Sequence, residues 1–463
     1  MPSTDNALVA VYLVALLCVG LWPGKIRGRE AFLISERRLG GLVSGFSIAA
    51  SKTGGGLLVT YSTLVFAFGN QALWLFAGYI IGYTLFYYYA RTLQQEAREH
   101  DYYTMADFFQ RRFGSAAAIA VGAACAISLT GWIFTNLIAG GDLIAALTHL
   151  SPIAATVLLA APMAIYLSVG GFHAVIKTEV LQYVAMMIVF FVIVVALARI
   201  DTSVMSPSAT KDMPQVQVLN FIVLGALFPM GSAELWQRAY AARDRRGLLQ
   251  GIAIASTTFV LLGLALSFIC LRLREVTAEH GAAAELGLVT GVAHVVSPVI
   301  AGLWIVAFLS AIMSAADTFV FTTASSVVQD VLERAGIVRS ENRIGALRVI
   351  ILLLCVTGVV GAIAFRSVVT VTFFYAGITM SLGVVALCAR FMHRLTGATI
   401  AAALLVGLIA SVLEGAVTGV TVRTAAVNAG ITALVSAIGW ALACFARSRA
   451  VAVEGEIVLP RDG

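Results

Sequence analysis

Charge is what this sequence has least of. Asp, Glu, Lys and Arg make up 12% of its 463 residues, where a soluble domain carries about a quarter. Hydrophobic residues make up 60%. That excludes an ordinary soluble fold. Apolar runs of about 20 residues recur from end to end, as in a polytopic membrane protein. Paired cysteines are also missing. Cys18, Cys125, Cys270, Cys355, Cys388 and Cys444 all fall in apolar runs without CxxC spacing, which excludes a disulfide framework and a zinc site. The six histidines show no metal spacing. No nucleophile and base stand at a recognisable interval, so neither an enzyme nor a cofactor is expected. SKTGGG, at 51–56, lacks the leading glycine of a phosphate loop. The first apolar run, Ala7 to Trp22, follows Asp5 rather than basic residues and precedes no small-residue cleavage site, unlike a signal peptide. The net charge of +6 resides in loops, so it is a topology signal rather than a nucleic-acid footprint.

Thirteen spans are predicted, at about 6–22, 42–66, 72–93, 116–147, 152–169, 175–199, 215–239, 247–271, 299–329, 345–365, 368–390, 398–414 and 425–446. They form one transmembrane domain over 1–449, followed by a short cytoplasmic tail, 450–463, expected to lack fixed structure. Basic residues crowd one set of loops, including Arg37, Arg38, Arg91, Arg98, Arg111, Arg112, Arg238, Arg243, Arg245 and Arg246. The positive-inside rule then places the N-terminus outside and the C-terminus in the cytoplasm, which suits a bacterial inner membrane. Glu96 to Phe113 reads as an amphipathic cytoplasmic segment whose helix starts at Thr104 and Asp107. Glu275 to Val296 reads as helix over the outer mouth, and Thr202 to Gln217 as an irregular outer loop.

Two spans are interrupted. In span two, Ser47 to Leu58 (SIAASKTGGGLL) places Lys52 directly before Thr53, Gly54, Gly55 and Gly56. Each glycine weakens a helix by about 1 kcal/mol, and irregular backbone at membrane depth must face protein or a wet cavity. Lys52 is too deep to snorkel, about 15 Å inside its run. In span seven, LGALFPMGSAELWQ carries Pro229, Gly231, Ser232 and Glu234 in mid-run, and proline removes a helical hydrogen bond. Spans two and seven are five apart and antiparallel, as in two inverted repeats, and paired discontinuous helices point to a transporter's midplane site. The plainer alternatives are close helix packing at the glycines and a proline kink without function.

Five stretches resemble the sodium:solute symporter family: RRLGGLVSGFSIAAS, YTMADFFQRRFG, GGFHAVIKTEVLQ, ELWQRAYAARD and FLSAIMSAADTFVFTTASSVVQD. The resemblance covers about Arg37 to Ala446. It implies an all-α, leucine-transporter-like fold with repeats over about 42–199 and 215–390, one extra helix before them and two after. It also implies transport of a small solute by alternating access. The family's shared sodium site would fall on the carbonyls of Ala49, Lys52 and Ala311 and the hydroxyl of Ser314, but Ala315 stands where a second hydroxyl is usual. A second site in some members would fall on Glu179, Asp317 and Thr318. An ammonium beside sodium is unfavourable by about 4 kcal/mol at 4 Å and an effective dielectric of 20.

Lys52 is therefore expected in the cation position, neutralised by Glu179, Asp317 or both, as a fixed internal cation or a titrating proton carrier. A static ion pair locking two helices is the alternative. Glu234 either binds a substrate amine, pairs with Lys52 in one conformation, or caps the inner half-helix. The substrate-contact set is Lys52, Thr53, Gly54, Gly55, Phe228, Ser232, Glu234 and Trp236, and an amino acid or organic acid suits its charges. A proton, or no ion, is expected in place of sodium. A conventional sodium-coupled symporter and a solute sensor that does not transport remain alternatives. The partners expected are the bilayer and the solute, with no nucleic acid, on a monomer or weak oligomer.

Overall fold

The computed structural model describes residues 2–22, 28–148, 150–199, 211–279, 287–365 and 367–456. Among them the regular structure is helical, apart from one bridge between Leu39 and Ala242. The α-helices are α1 (Pro2–Leu21), α2 (Arg29–Ile34), α3 (Gly41–Lys52), α4 (Gly55–Phe68), α5 (Trp74–Glu99), α6 (Met105–Phe113), α7 (Ser115–Thr148), α8 (Pro152–Ala198) and α9 (Gln215–Gly231). They continue as α10 (Ala233–Ala241), α11 (Arg245–Glu279), α12 (Gly287–Val295), α13 (Pro298–Ser326), α14 (Arg343–Ala364), α15 (Val368–Phe391), α16 (Gly397–Thr418) and α17 (Val422–Glu456).

Nine of the described helices are long and apolar enough to cross a membrane, or ten if the bent α9 and α10 form one span. The count of thirteen is not reached on that measure. Span two is divided into α3 and α4, α1 has only a short apolar stretch, and spans five and six run together as α8. Within α8 the helix is kinked at Gly171, where φ is +54°, a conformation glycine adopts without steric cost.

Both sequence-predicted interruptions are real breaks. α3 ends at Lys52, and Thr53 and Gly54 lie in non-helical conformations before α4 begins. Gly54 is wedged between helices: a Cβ there would lie 2.5 Å from Asn136 Oδ1 and 2.6 Å from Ala315 Cβ. α9 ends two residues after Pro229, and α10 leaves it at 43°. Gly231 permits this by abutting the backbone of α15, where a Cβ would meet the Thr379 carbonyl at 1.8 Å. α5 packs along α9, with Gly78 and Gly225 at the close crossing, as small residues allow between membrane helices.

The amphipathic segment starts as expected, because Thr104 and Asp107 form a reciprocal capping box at α6. α12 packs on α11 and α13. Residues 280–286 and most of the loop expected over Thr202 to Gln217 lie outside the described residues. The tail differs from expectation: α17 continues through residues 450–456 as helix, and 457–463 lie outside the description.

Candidate functional site

The two breaks face each other and exchange charge. Lys52 is the last residue of α3 and Glu234 the second of α10. A cation therefore sits at the negative end of one half-helix and an anion at the positive end of the other, each favoured by the local dipole. The Lys52 ammonium pairs directly with Glu234 Oε1 and donates to Ser232 Oγ at 2.5 Å. Ser232 Oγ in turn donates to the Phe228 carbonyl at 2.7 Å, filling an acceptor that the break exposes. The Phe228 ring completes the cage, 5.0 Å from the ammonium, close enough for a cation–π contact. The side chains of Lys52 and Glu234 are 1% and 2% exposed.

This corrects the pairing expected from the sequence. Neither Glu179 nor Asp317 neutralises Lys52. Glu179 is held by Arg238, whose guanidinium also donates to Thr318 Oγ1 and Ser47 Oγ, each at 2.7 Å, and to the Glu234 carbonyl at 3.0 Å. Ser47 and Thr318 donate to the same Glu179 carboxylate. Arg238, counted above among loop charges, is completely buried, one turn beyond Glu234 on α10. It was missed because it stands near a helix end among surface arginines. Its four-residue spacing from Glu234 was the available signal. Asp317 lies in a hydroxyl pocket, accepting from Tyr166, and from Thr178 Oγ1 at 3.4 Å.

A cavity of about 50 Å³ opens from the breaks toward the ends where α4 finishes and α5 and α15 begin. At about 10–15 Å³ per water centre it has room for only a few waters. Lys52, Ser51, Gly54, Thr60, Asn136 and Thr372 supply polar atoms or backbone. Tyr61, Tyr79, Trp132, Phe228, Phe319 and Phe373 supply the aromatic walls. Thr53 and Gly55 do not line it. Thr53 Oγ1 donates to the Ala49 carbonyl at 2.9 Å, and the Gly55 amide donates to Asn136 Oδ1 at 2.9 Å. Asn136, absent from the sequence-based set, thus caps the first turn of α4 across a helix interface. Ser232 and Glu234 line a smaller void on the far side of Phe228 and Trp132.

Trp236 is not a wall of the cavity. It packs below the break against Phe86, Tyr89, Phe108, Phe109 and Tyr240, and its indole donates to the Met230 carbonyl at 2.8 Å. This aromatic cluster closes the side opposite the cavity.

The residues at the family's shared sodium position lie on α3 and α13. The Ala49 carbonyl accepts from Thr53 Oγ1, Ala315 offers no side-chain oxygen, and its methyl packs toward Gly54. Ala311 and Ser314 are buried on α13, and Ser314 Oγ has no hydrogen-bond partner among the described residues. The Lys52 ammonium reaches the α9–α10 break, where it pairs with the Glu234 carboxylate.

Two discontinuous helices whose breaks face each other, with buried charges at the breaks and a cavity beside them, define a secondary transporter of the inverted-repeat type. The comparisons agree. The chain belongs to the sodium:solute symporter family, whose profile matches residues 32–410; this is a family of transporters rather than enzymes. It is 25% identical over 347 residues to the osmoregulated proline transporter OpuE of Bacillus subtilis (strain 168), covering 70% of each chain. It is 22% identical over 364 residues to the sodium/proline symporter of Staphylococcus aureus (strain Newman), covering 73% of this chain and 69% of that one. Its fold is similar to that of a Na⁺-coupled sialic acid symporter, with a TM-score of 0.76 at 14% identity over 95% of this chain and 98% of that one. It is also similar to the nucleobase-cation-symport transporter Mhp1, with a TM-score of 0.57 at 14% identity over 91% and 96%. The fold is thus the leucine-transporter type.

Proposed function

We propose that this transporter moves a small polar metabolite by alternating access, with the Lys52–Glu234 pair taking the part that a bound sodium ion plays in its relatives. The observation that carries the reading is that pair itself. A tethered ammonium bridges the two breaks, which a bound cation would otherwise hold together, and the oxygens left at the sodium position are too few. Burying two charges costs several kcal/mol each unless they are mutually paired and hydrogen-bonded; Glu234, Ser232 and Phe228 supply that compensation.

Lys52 is also the charged side chain among the cavity walls, so a solute carboxylate is the group it attracts. The proline transporters among the relatives make an amino acid or organic acid the class to test. Alternating access follows from the same frame. The cavity lies on the side expected to be external, the aromatic cluster around Trp236 closes the cytoplasmic side, and the exchange requires α10 to leave its partners. The repeats run over about 42–199 and 215–390 within one domain spanning the cell membrane, with the C-terminus cytoplasmic.

Uptake by purified protein in proteoliposomes tests the proposal, using amino acids, organic acids and sugars with sodium and proton gradients imposed separately. Uptake driven by a proton gradient or by the solute gradient alone, and lost in Lys52→Ala, is the expected result. Strict dependence on sodium overturns it in favour of a conventional symporter. Saturable binding without flux of any solute would instead indicate a sensor.

A further inference from the structure

On the side opposite the cavity, where α5 runs beside the start of α11, the surface carries a groove of about 620 Å³ lined by Tyr87, Arg245, Arg246, Leu249, Gln250 and Ala253. At its edge Arg91 stacks on Tyr87 and Tyr88, at 5.4 and 4.8 Å from the ring centroids. We propose that this groove binds the phosphate headgroup of one anionic phospholipid, an interaction that goes beyond the transport reading and does not depend on it.

Depth, charge and shape all point to that occupant. From Trp74 to Arg91 α5 rises about 26 Å at 1.5 Å per residue, close to the ~30 Å hydrocarbon thickness. Arg91 therefore stands at headgroup level, and the tyrosines beside it belong in the interfacial belt. Three arginines converge there, and among the described residues none is within ion-pair distance of a carboxylate. The nearby acids are already engaged: Glu96 with Arg112, Glu99 with Gln95, and Asp244 with Arg243 and the Gly247 amide. Guanidinium groups suit phosphate oxygens because they present several donors in a fixed plane. Toward the membrane interior the groove continues into apolar wall, with Leu249 and Ala253 on α11 and the exposed Leu85 and Ile81 on α5, which suits acyl chains. A soluble polyanion would find no use for that wall.

A lipid held there would clamp α5 to α11. α5 touches the aromatic cluster through Tyr89 and Trp236, and α11 packs on α3, so the clamp acts on neighbours of both broken helices.

Native mass spectrometry of the full chain, delipidated and titrated with phosphatidylglycerol or phosphatidylcholine, reads the site directly. Each surface arginine contributes a factor of about five to anionic-lipid attraction, so Arg245→Gln with Arg246→Gln should weaken retention of one phosphatidylglycerol by about thirty-fold. Arg339→Gln, at a distant exposed arginine, should leave it unchanged, and Arg91→Gln alone should weaken it several-fold if the double variant fails to fold. Equal retention of phosphatidylcholine by the wild type, or unchanged retention of phosphatidylglycerol in the arginine variants, overturns the proposal. Displacement of the lipid by millimolar inorganic phosphate also overturns it, in favour of a free-anion site.

Discussion

The Lys52–Glu234 pair makes a quantitative prediction through a double-mutant cycle. Both side chains are almost fully buried, at 1% and 2% exposure, and removing one partner of such a pair costs about 3–5 kcal/mol because the other charge is left uncompensated. Lys52→Met and Glu234→Met should each carry that penalty. With an unfolding entropy of about 2.1 cal/mol/K per residue, a chain of 463 residues has about 1 kcal/mol/K in total. Each single variant should therefore lower the apparent melting temperature by about 3–5 °C. The double variant replaces a charge pair by apolar side chains of similar length, which is often near neutral, so it should melt within about 1 °C of wild type. The coupling energy, the two single losses less the double loss, is then about 5–10 kcal/mol, larger than is usual even for contacting residues. Thermal unfolding followed by tryptophan fluorescence in one detergent provides the measurement. If the double variant loses the sum of the two single losses, the residues do not act as a pair and the transport reading loses its foundation. Uptake separates stability from function: the double variant should be folded but inactive.

Gly54→Ala places a methyl 2.5 Å from Asn136 Oδ1 and 2.6 Å from Ala315 Cβ, and overpacking of this kind costs about 1–3 kcal/mol. Adding Ala315→Gly should recover part of the lost thermostability, and a wild-type-like Gly54→Ala would refute the close packing at the break. Ser314→Ala removes a buried hydroxyl with no partner among the described residues, so it should stabilise the fold by about 1 kcal/mol and leave uptake intact. Loss of uptake with normal melting would show instead that the hydroxyl ligates cargo in another conformation. Asp244 caps α11 through Gly247 at 2.6 Å, and this amide together with Arg243 holds its carboxyl below the ordinary value. A depressed carboxyl favours the fold above its unfolded value of about 3.9, and that contribution disappears as pH falls through the lower folded value. Amide exchange at residues 245–248 should be faster in Asp244→Asn than in wild type at pH 7, and the gap should close as pH falls through the lowered folded value. A gap that stays constant as the carboxyl is protonated would refute the capping role.

The breaks were legible in the sequence because glycine and proline act locally: Gly54 and Pro229 interrupt a helix whatever surrounds them. The same locality made the helix start at Thr104 and Asp107 readable. Pairing is different, because it depends on which way a side chain leaves its helix. Lys52 and Ser314 occupy matching family positions, but the Lys52 stem runs toward α10, where the Glu234 carboxylate favours an ammonium. Arg238 could not be separated from Arg243, Arg245 and Arg246 by counting loop charges, since that rule treats every arginine near a helix end as solvated. What distinguishes it is that Glu179 must have a partner. A carboxylate at zero exposure on α8 requires a cation or a proton, and α10 brings Arg238 to it one turn after Glu234. The buried acids thus divide by environment: Glu234 and Glu179 each face a tethered cation, whereas Asp317 faces the hydroxyls of Tyr166 and Thr178. Because Glu234 and Arg238 ride on the same nine-residue helix, any movement that separates α10 from α3 and α8 strains both ion pairs together. The proposed opening of the closed side is therefore expected to strain the two pairs in one step of this half-helix rather than in two independent ones.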